Sequence, residues 1–417
     1  MDARPAPVRR IWWWVFGGFL FQSIPAAVRD EALPVALKNL GQEDAAITTW
    51  VAWLGLLVGV KILWAPLVGF ATRPPRIILG CQVAIVALLL GLQFSLGLGA
   101  SAWAFGALCM ISIFSACHDF ALDGYFVASL EEKPRAAYAG LLTFASKVGQ
   151  VLAGPGLIWL AGRLHHASGA TWSSAWQQAL GAAVGLAATC FLLDTLALNR
   201  EPSRPTPPRT PLGQVIRDLT SDARFLPLLA LLVFYRASEI HLTRILPLFS
   251  MATPEHGGLG FDNESFALLR VTTAVGGLAL GGLIGSRVVA ALGVGRALLP
   301  LGFLMHLPLM GILWLAYHPG AARATIAGLY FAEYVAYGAG VCALILAMMK
   351  LAAGKHAAIR YAALSTLALV ANYLPGFWAG KLAAFLGYAH YFAFALLLAI
   401  PGVIVTLWAR PHFQDEA

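Results

Sequence analysis

Apolar residues along this chain come in long blocks separated by short polar or turn-rich gaps. Twelve blocks can be drawn, at 11–36, 47–70, 76–97, 101–128, 138–161, 175–197, 225–250, 265–286, 297–316, 323–349, 359–384 and 390–409. Each has about twenty residues or more, the length a helix needs to cross the hydrocarbon core of a bilayer. The first block is long, Trp-rich and without a small-residue cleavage site, so no cleavable signal peptide is expected.

The longest polar stretch runs from Asn199 to Pro211, rich in proline and basic residues, and is expected to be a cytoplasmic linker. After it, Leu212, Val215, Ile216 and Leu219 recur at helical spacing and predict a short amphipathic helix on the membrane surface. Six blocks, a linker and six blocks predict an all-α membrane protein of twelve transmembrane helices. Residues 1–198 form an N-terminal six-helix bundle, 199–224 the linker and 225–417 a C-terminal six-helix bundle. Transporters whose halves rock about a central site have this layout. In the eighth block Gly277, Gly281 and Gly285 recur every four residues, a pattern that lets helices approach closely.

Composition agrees: of 417 residues 59% are hydrophobic and 12% charged, where soluble proteins carry about a quarter charged. Mean hydropathy is +0.74. With the N-terminus placed inside, eighteen Lys and Arg residues fall in inner segments against four in outer ones, so both termini are expected to be cytoplasmic. The net charge of +8 then reflects topology and anionic lipid headgroups rather than a nucleic-acid partner. Trp12, Trp13 and Trp14 follow Arg9 and Arg10 as an interfacial anchor. Five scattered cysteines give neither a disulfide frame nor a metal site, and no cofactor is expected. No nucleotide-binding or hydrolase motif is present, which argues against ATP hydrolysis, and the nucleophiles near His118 and Asp119, Ser115 and Cys117, read as packing residues, which argues against an enzyme.

Ionisable residues at membrane depth are unevenly placed. Arg29, Asp30 and Glu31 lie in the first block, Asp119 and Asp123 in the fourth, Arg236, Glu239, His241 and Arg244 in the seventh, and Glu333 in the tenth. Lys61, Lys147 and Arg270 are single basic residues in the second, fifth and eighth. Spans one, four, seven and ten are therefore expected to line a polar interior, flanked by two, five and eight, with the rest facing lipid. Asp119 and Asp123, four apart, share a helix face as a protonatable or substrate-facing pair, or as ion-pair partners between helices. Arg236 and Glu239, three apart, can pair locally, leaving Arg244 for a ligand. His118 and His241 are proton-relay candidates or hydrogen-bonded structural histidines. Pro34 and Gly154-Pro155-Gly156 are expected to interrupt the first and fifth spans.

The stretches Lys61-Ile62-Leu63-Trp64-Ala65-Pro66-Leu67, Ala116-Cys117-His118-Asp119-Phe120-Ala121-Leu122-Asp123-Gly124-Tyr125, Phe234-Tyr235-Arg236-Ala237-Ser238-Glu239, Phe331-Ala332-Glu333 and Ala357 to Ser365 resemble the AmpG-like branch of the major facilitator superfamily. That branch holds bacterial muropeptide permeases, with acetyl-CoA transporters and siderophore permeases as relatives. The resemblance implies a multi-pass, monomeric protein of the bacterial inner membrane. It would take up an anionic amphiphilic solute, such as an anhydro-muropeptide, with protons and by alternating access. A siderophore permease or a solute or drug exporter is the alternative. Asp119, Asp123, Glu239 and Glu333 would be the proton-coupling acids. Lys61, Lys147, Arg236, Arg244, Tyr125 and His118 would contact substrate. The chain departs from the branch at Val68-Gly69-Phe70, where an acidic-basic pair is usual, and at His118, where muropeptide permeases usually have Gln. It also lacks the two further spans that some of them carry.

Overall fold

The computed structural model describes residues 8–59, 74–98, 101–129, 132–198, 212–354 and 357–414, which are helical almost throughout and contain no strand. Among them ten helical stretches are long and apolar enough to cross a membrane. The helices of the first half are α1 (Val8–Ala27), α2 (Leu33–Asn39), α3 (Asp44–Gly59), α4 (Pro74–Leu98), α5 (Ser101–Ser129), α6 (Glu132–Ala153), α7 (Pro155–Ser168) and α8 (Trp172–Leu198). Then follow α9 (Leu212–Thr220), α10 (Phe225–Phe234), α11 (Ala237–Met251), α12 (Asn263–Leu292), α13 (Val294–Tyr317), α14 (Arg323–Ala352), α15 (Ala357–Tyr373), α16 (Gly376–Leu397) and α17 (Ala399–Ala409).

The ten stretches accommodate eleven of the twelve expected spans. The second expected span includes α3, a shorter apolar helix, and its remaining residues 60–70 lie outside the described residues. The last stretch, Ile359–Phe413, is 55 residues long and contains the eleventh and twelfth spans. Between them, inside α16, Gly387 has φ 74° and ψ 159°, a backbone that only glycine adopts without strain.

Proline and glycine decide where helices break. Pro34 has no N–H for the carbonyl four residues back, and the chain answers with a wider π-helical turn over Val28–Ala32. In it the Leu33 N–H bonds to Val28 O, and the turn carries Arg29, Asp30 and Glu31, with Arg29 and Asp30 paired at 2.7 Å. At Gly154 the fifth span breaks between α6 and α7, and Pro155 restarts the helix. A Cβ on Gly154 would lie 3.0 Å from Glu31 Cδ, so the charged turn of the first span rests on the break in the fifth.

Contacts divide the chain into two compact units, one of Met1–Gly41 and Trp53–Pro208, the other of Gln42–Ala52 and Arg209–Ala417. In the first, α1 packs along α6 and α8, and α4 along α5 and α8. In the second, α12 and α13 pack along α14, α11 along α16 and α10 along α17. The α12–α14 contact is backbone on backbone, since a Cβ on Gly277, Gly281 or Gly285 would fall within 3.1 Å of the Phe331, Val335 or Ala339 carbonyl. The opening turns of α3 are held in the second unit. Tyr388 donates its hydroxyl to Asp44 Oδ2 at 2.6 Å, and the Gly380 N–H donates to Thr48 Oγ1 at 3.2 Å.

Candidate functional site

In the first unit α5 presents the His118-Asp119 step to two sides, because adjacent helical positions point about 100° apart. His118 faces the interior and is buried, with the Phe21 ring 5.2 Å from its own. Asp119 is half-buried and Asp123, on the same face, is exposed. Tyr125 is buried edge-on against Trp14, ring centroids 5.1 Å apart. Lys147 on α6 is exposed and donates to Gln150 Oε1 at 3.0 Å, one turn along its own helix. Lys61 lies outside the described residues.

His118 is part of a polar group that its spacing in the sequence did not indicate. Its Nε2 lies 3.2 Å from Gln82 Nε2, and the same amide nitrogen is 2.6 Å from Asp194 Oδ2. Gln82 on α4 and Asp194 on α8 are both 0% exposed. They occupy the third and sixth spans, which were expected to face lipid, and both point inward. The helices can come this close because α1 presents Gly17 and Gly18, and a Cβ on Gly17 would sit 2.6 Å from Asp194 Oδ1. That glycine pair is the one sequence signal of a close approach at this level.

In the second unit the seventh span breaks at Tyr235-Arg236, between α10 and α11. The Tyr235 hydroxyl, 3.2 Å from Leu298 O and 3.3 Å from Gly340 O, ties the break to α13 and α14. Arg236 at the start of α11 holds Glu239 through Nε and Nη2, both 2.9 Å from Oε2. Its guanidinium also lies 5.1 Å from the centre of the Tyr337 ring. Glu333 on α14, like Glu239 3% exposed, shares the electrostatic field of Glu239, Arg236 and Arg270. Arg270 on α12 is hydrogen-bonded to the Tyr334 hydroxyl and lies over its ring. Arg236, Arg270, Glu239 and Glu333 thus form a set of two half-buried cations and two buried anions. Tyr337 joins it unforeseen, because an uncharged aromatic in an apolar block gives no sequence signal.

Two neighbours of that set have structural partners. Arg244 Nη2 donates to the Asn372 carbonyl at 3.0 Å, just before the α15–α16 break at Leu374-Pro375, and its guanidinium lies 4.7 Å from the Tyr373 ring centre. His241 donates from Nδ1 to Ala237 O at 2.8 Å and accepts from the Trp378 indole at 3.1 Å on Nε2. Both ring nitrogens are engaged, which fixes one neutral tautomer.

No protein-family model matches the chain. It is 24% identical over 361 residues to the anhydromuropeptide permease of Escherichia coli K12, with 85% of this chain and 70% of that protein covered. Its fold is that of solved transporters. A bacterial homologue of the human lysosomal transporter Spinster, inward-facing and unoccupied, superposes with a TM-score of 0.74 at 16% identity over 99% of this chain and 100% of that one. A D-xylose–proton symporter superposes with a TM-score of 0.73 at 15% identity, covering 99% of each. The chain therefore has the major facilitator fold and bears the expected likeness to the AmpG-like branch. Its ten apolar helical stretches make it a multi-pass membrane protein by length and composition, and these named relatives and solved neighbours are transporters.

Proposed function

We propose that this inner-membrane transporter is a proton-coupled importer of an anionic, amphiphilic solute of the anhydro-muropeptide kind, working as a monomer by alternating access. The carrying observation is the balanced set of Arg236, Glu239, Arg270 and Glu333. With no substrate, Glu239 neutralises Arg236. A substrate carboxylate displaces it, and the surplus negative charge is relieved when Glu239 or Glu333 takes a proton. Proton and substrate then enter together, because either alone leaves an uncompensated charge in a low-dielectric interior. Asp119 and Asp123 supply acids of the same kind in the first unit, where Lys147 is an exposed cation. The named activity of the E. coli relative supports this cargo class. An imposed potential contributes about 2.3 kcal/mol per 100 mV to each proton moved, enough for modest accumulation.

The test is substrate-driven proton entry into liposomes holding the purified protein, with anhydro-muropeptides offered beside a panel of siderophores. Wild type should acidify the lumen with muropeptides only. The double variant Arg236→Gln/Glu239→Gln, which removes the pair without stranding a charge, should lose at least about tenfold in rate, a change of roughly 1.4 kcal/mol. Entry driven only by a siderophore would move the cargo to that class. Uptake at the wild-type rate in a folded double variant would overturn the role given to the pair.

A further inference from the structure

The Asp194 carboxyl is enclosed by helix surface and touches one polar side chain, the Gln82 amide. From α1 it meets Gly17 and Gly18, which bring no side chain. From α4 it meets Gln82, with His118 of α5 on that amide's far side. On its own helix the nearest ionisable group is Cys190, one turn back. Among the described residues no cation pairs with it, and Asp194 Oδ1, Gln82 Oε1 and His118 Nδ1 are buried without a hydrogen-bond partner. A bare carboxylate held by one amide and no cation is among the costliest groups a protein interior can contain.

The same atom positions fit a neutral arrangement. With Asp194 ionised, the two hydrogens of the Gln82 amide nitrogen point to Asp194 Oδ2 and His118 Nε2, and His118 keeps its proton on Nδ1. With a proton on Asp194 Oδ2, the amide is turned over, since its oxygen and nitrogen have the same outline. The amide oxygen then accepts from the carboxyl O–H and from a His118 Nε2–H. Each arrangement leaves Asp194 Oδ1, His118 Nδ1 and the outer atom of the Gln82 amide without a partner, but only the second carries no charge.

We infer that Asp194, Gln82 and His118 form a proton-binding site enclosed in the first unit. Asp194 carries the proton, and the Gln82 amide turns over when it leaves, resetting the His118 tautomer. The site is additional to the coupling acids proposed above and stands whether or not transport uses the proton gradient.

Infrared spectra of the full-length protein in lipid nanodiscs test it without any transport assay. At neutral pH the wild type minus Asp194→Asn difference should contain the carbonyl-stretch band of a protonated carboxylic acid. Gln82→Leu should keep that band but shift it to higher frequency, since the acid loses its acceptor. Nitrogen NMR of labelled histidine should find His118 protonated on Nε2 in wild type. Absence of the acid band from the difference spectrum would show Asp194 ionised and overturn the inference. Should Asp194→Asn not fold, Gln82→Leu decides: a shifted acid band supports the site and an unshifted spectrum refutes it. A wild type that shows the band yet admits no protons with substrate would defeat the transport reading alone.

Discussion

Asp222 lies in the turn between α9 and α10, where it accepts from the Arg224 backbone N–H and from its guanidinium at 2.7–2.9 Å. Arg360 of α15 stands 3.8 Å from the same carboxylate. Hydrogen bonds from the Arg224 side chain, opposed by partial burial, hold this carboxyl below the usual carboxylate range. Such a group adds stability at pH values above its unfolded value, about 3.9, and loses it as the pH falls through the lower folded value. Asp222 and Arg224 are partly solvated, so the contribution is about 0.2–1 kcal/mol. Asp222→Asn should therefore melt slightly below wild type at pH 7 in detergent, and the gap should close once the pH falls below the folded value. A gap that persists there would assign the effect to packing instead. The single residue is also where the sequence was least informative. Asp194 is one acid near the end of an apolar block, its partner Gln82 is uncharged, and 112 positions separate them. Nothing in a hydropathy profile links the two.

At the scale of the helix, α12 against α14 shows what small residues accomplish in a membrane, where no hydrophobic gain drives one helix onto another. A Cβ on Gly281 would stand 2.2 Å from the Val335 carbonyl oxygen, and that oxygen is held by its own helix. One on Gly282 would meet nothing within 4 Å. Gly281→Ala should therefore lower the melting temperature, by a loss of roughly 1–3 kcal/mol as the helices part. Gly282→Ala should leave it unchanged, and equal behaviour of the two would refute the backbone contact. The four-residue glycine repeat made this contact legible in advance, as Pro34 and Gly154-Pro155-Gly156 did the helix breaks. What they could not give is the form of a break: Pro34 is preceded by a π-helical turn, and Gly154 is followed by an abrupt restart at Pro155. The hydrogen-bond pattern around a break depends on which neighbouring helix reaches it, and for Gly154 that is the turn carrying Glu31.

Over the whole molecule, block lengths and the glycine, proline and charge positions carried most of the architecture, because a bilayer admits few ways to satisfy backbone polar groups. The candidate site was legible only in part. Spacing foretold the Arg236–Glu239 pair, but Arg244 is engaged with a backbone carbonyl that only the folded chain brings near it. The inward placement of Gln82 and Asp194 likewise required knowing that α1 offers glycines at that depth.

The assignment of Gln42–Ala52 to the second unit means that the polypeptide crosses between units at three places, after residues 41, 52 and 208. The halves of the gene are thus not the halves of the contact map. A protease cut within residues 199–211, or two genes encoding 1–208 and 209–417, would leave the eleven-residue segment bound to the fragment from which it is covalently separate. The two pieces should copurify as one particle, and Tyr388→Phe, which removes the hydrogen bond to Asp44, should lower the yield of the pair while sparing the uncut chain. Fragments that elute apart would show that the linker, not this segment, keeps the protein whole.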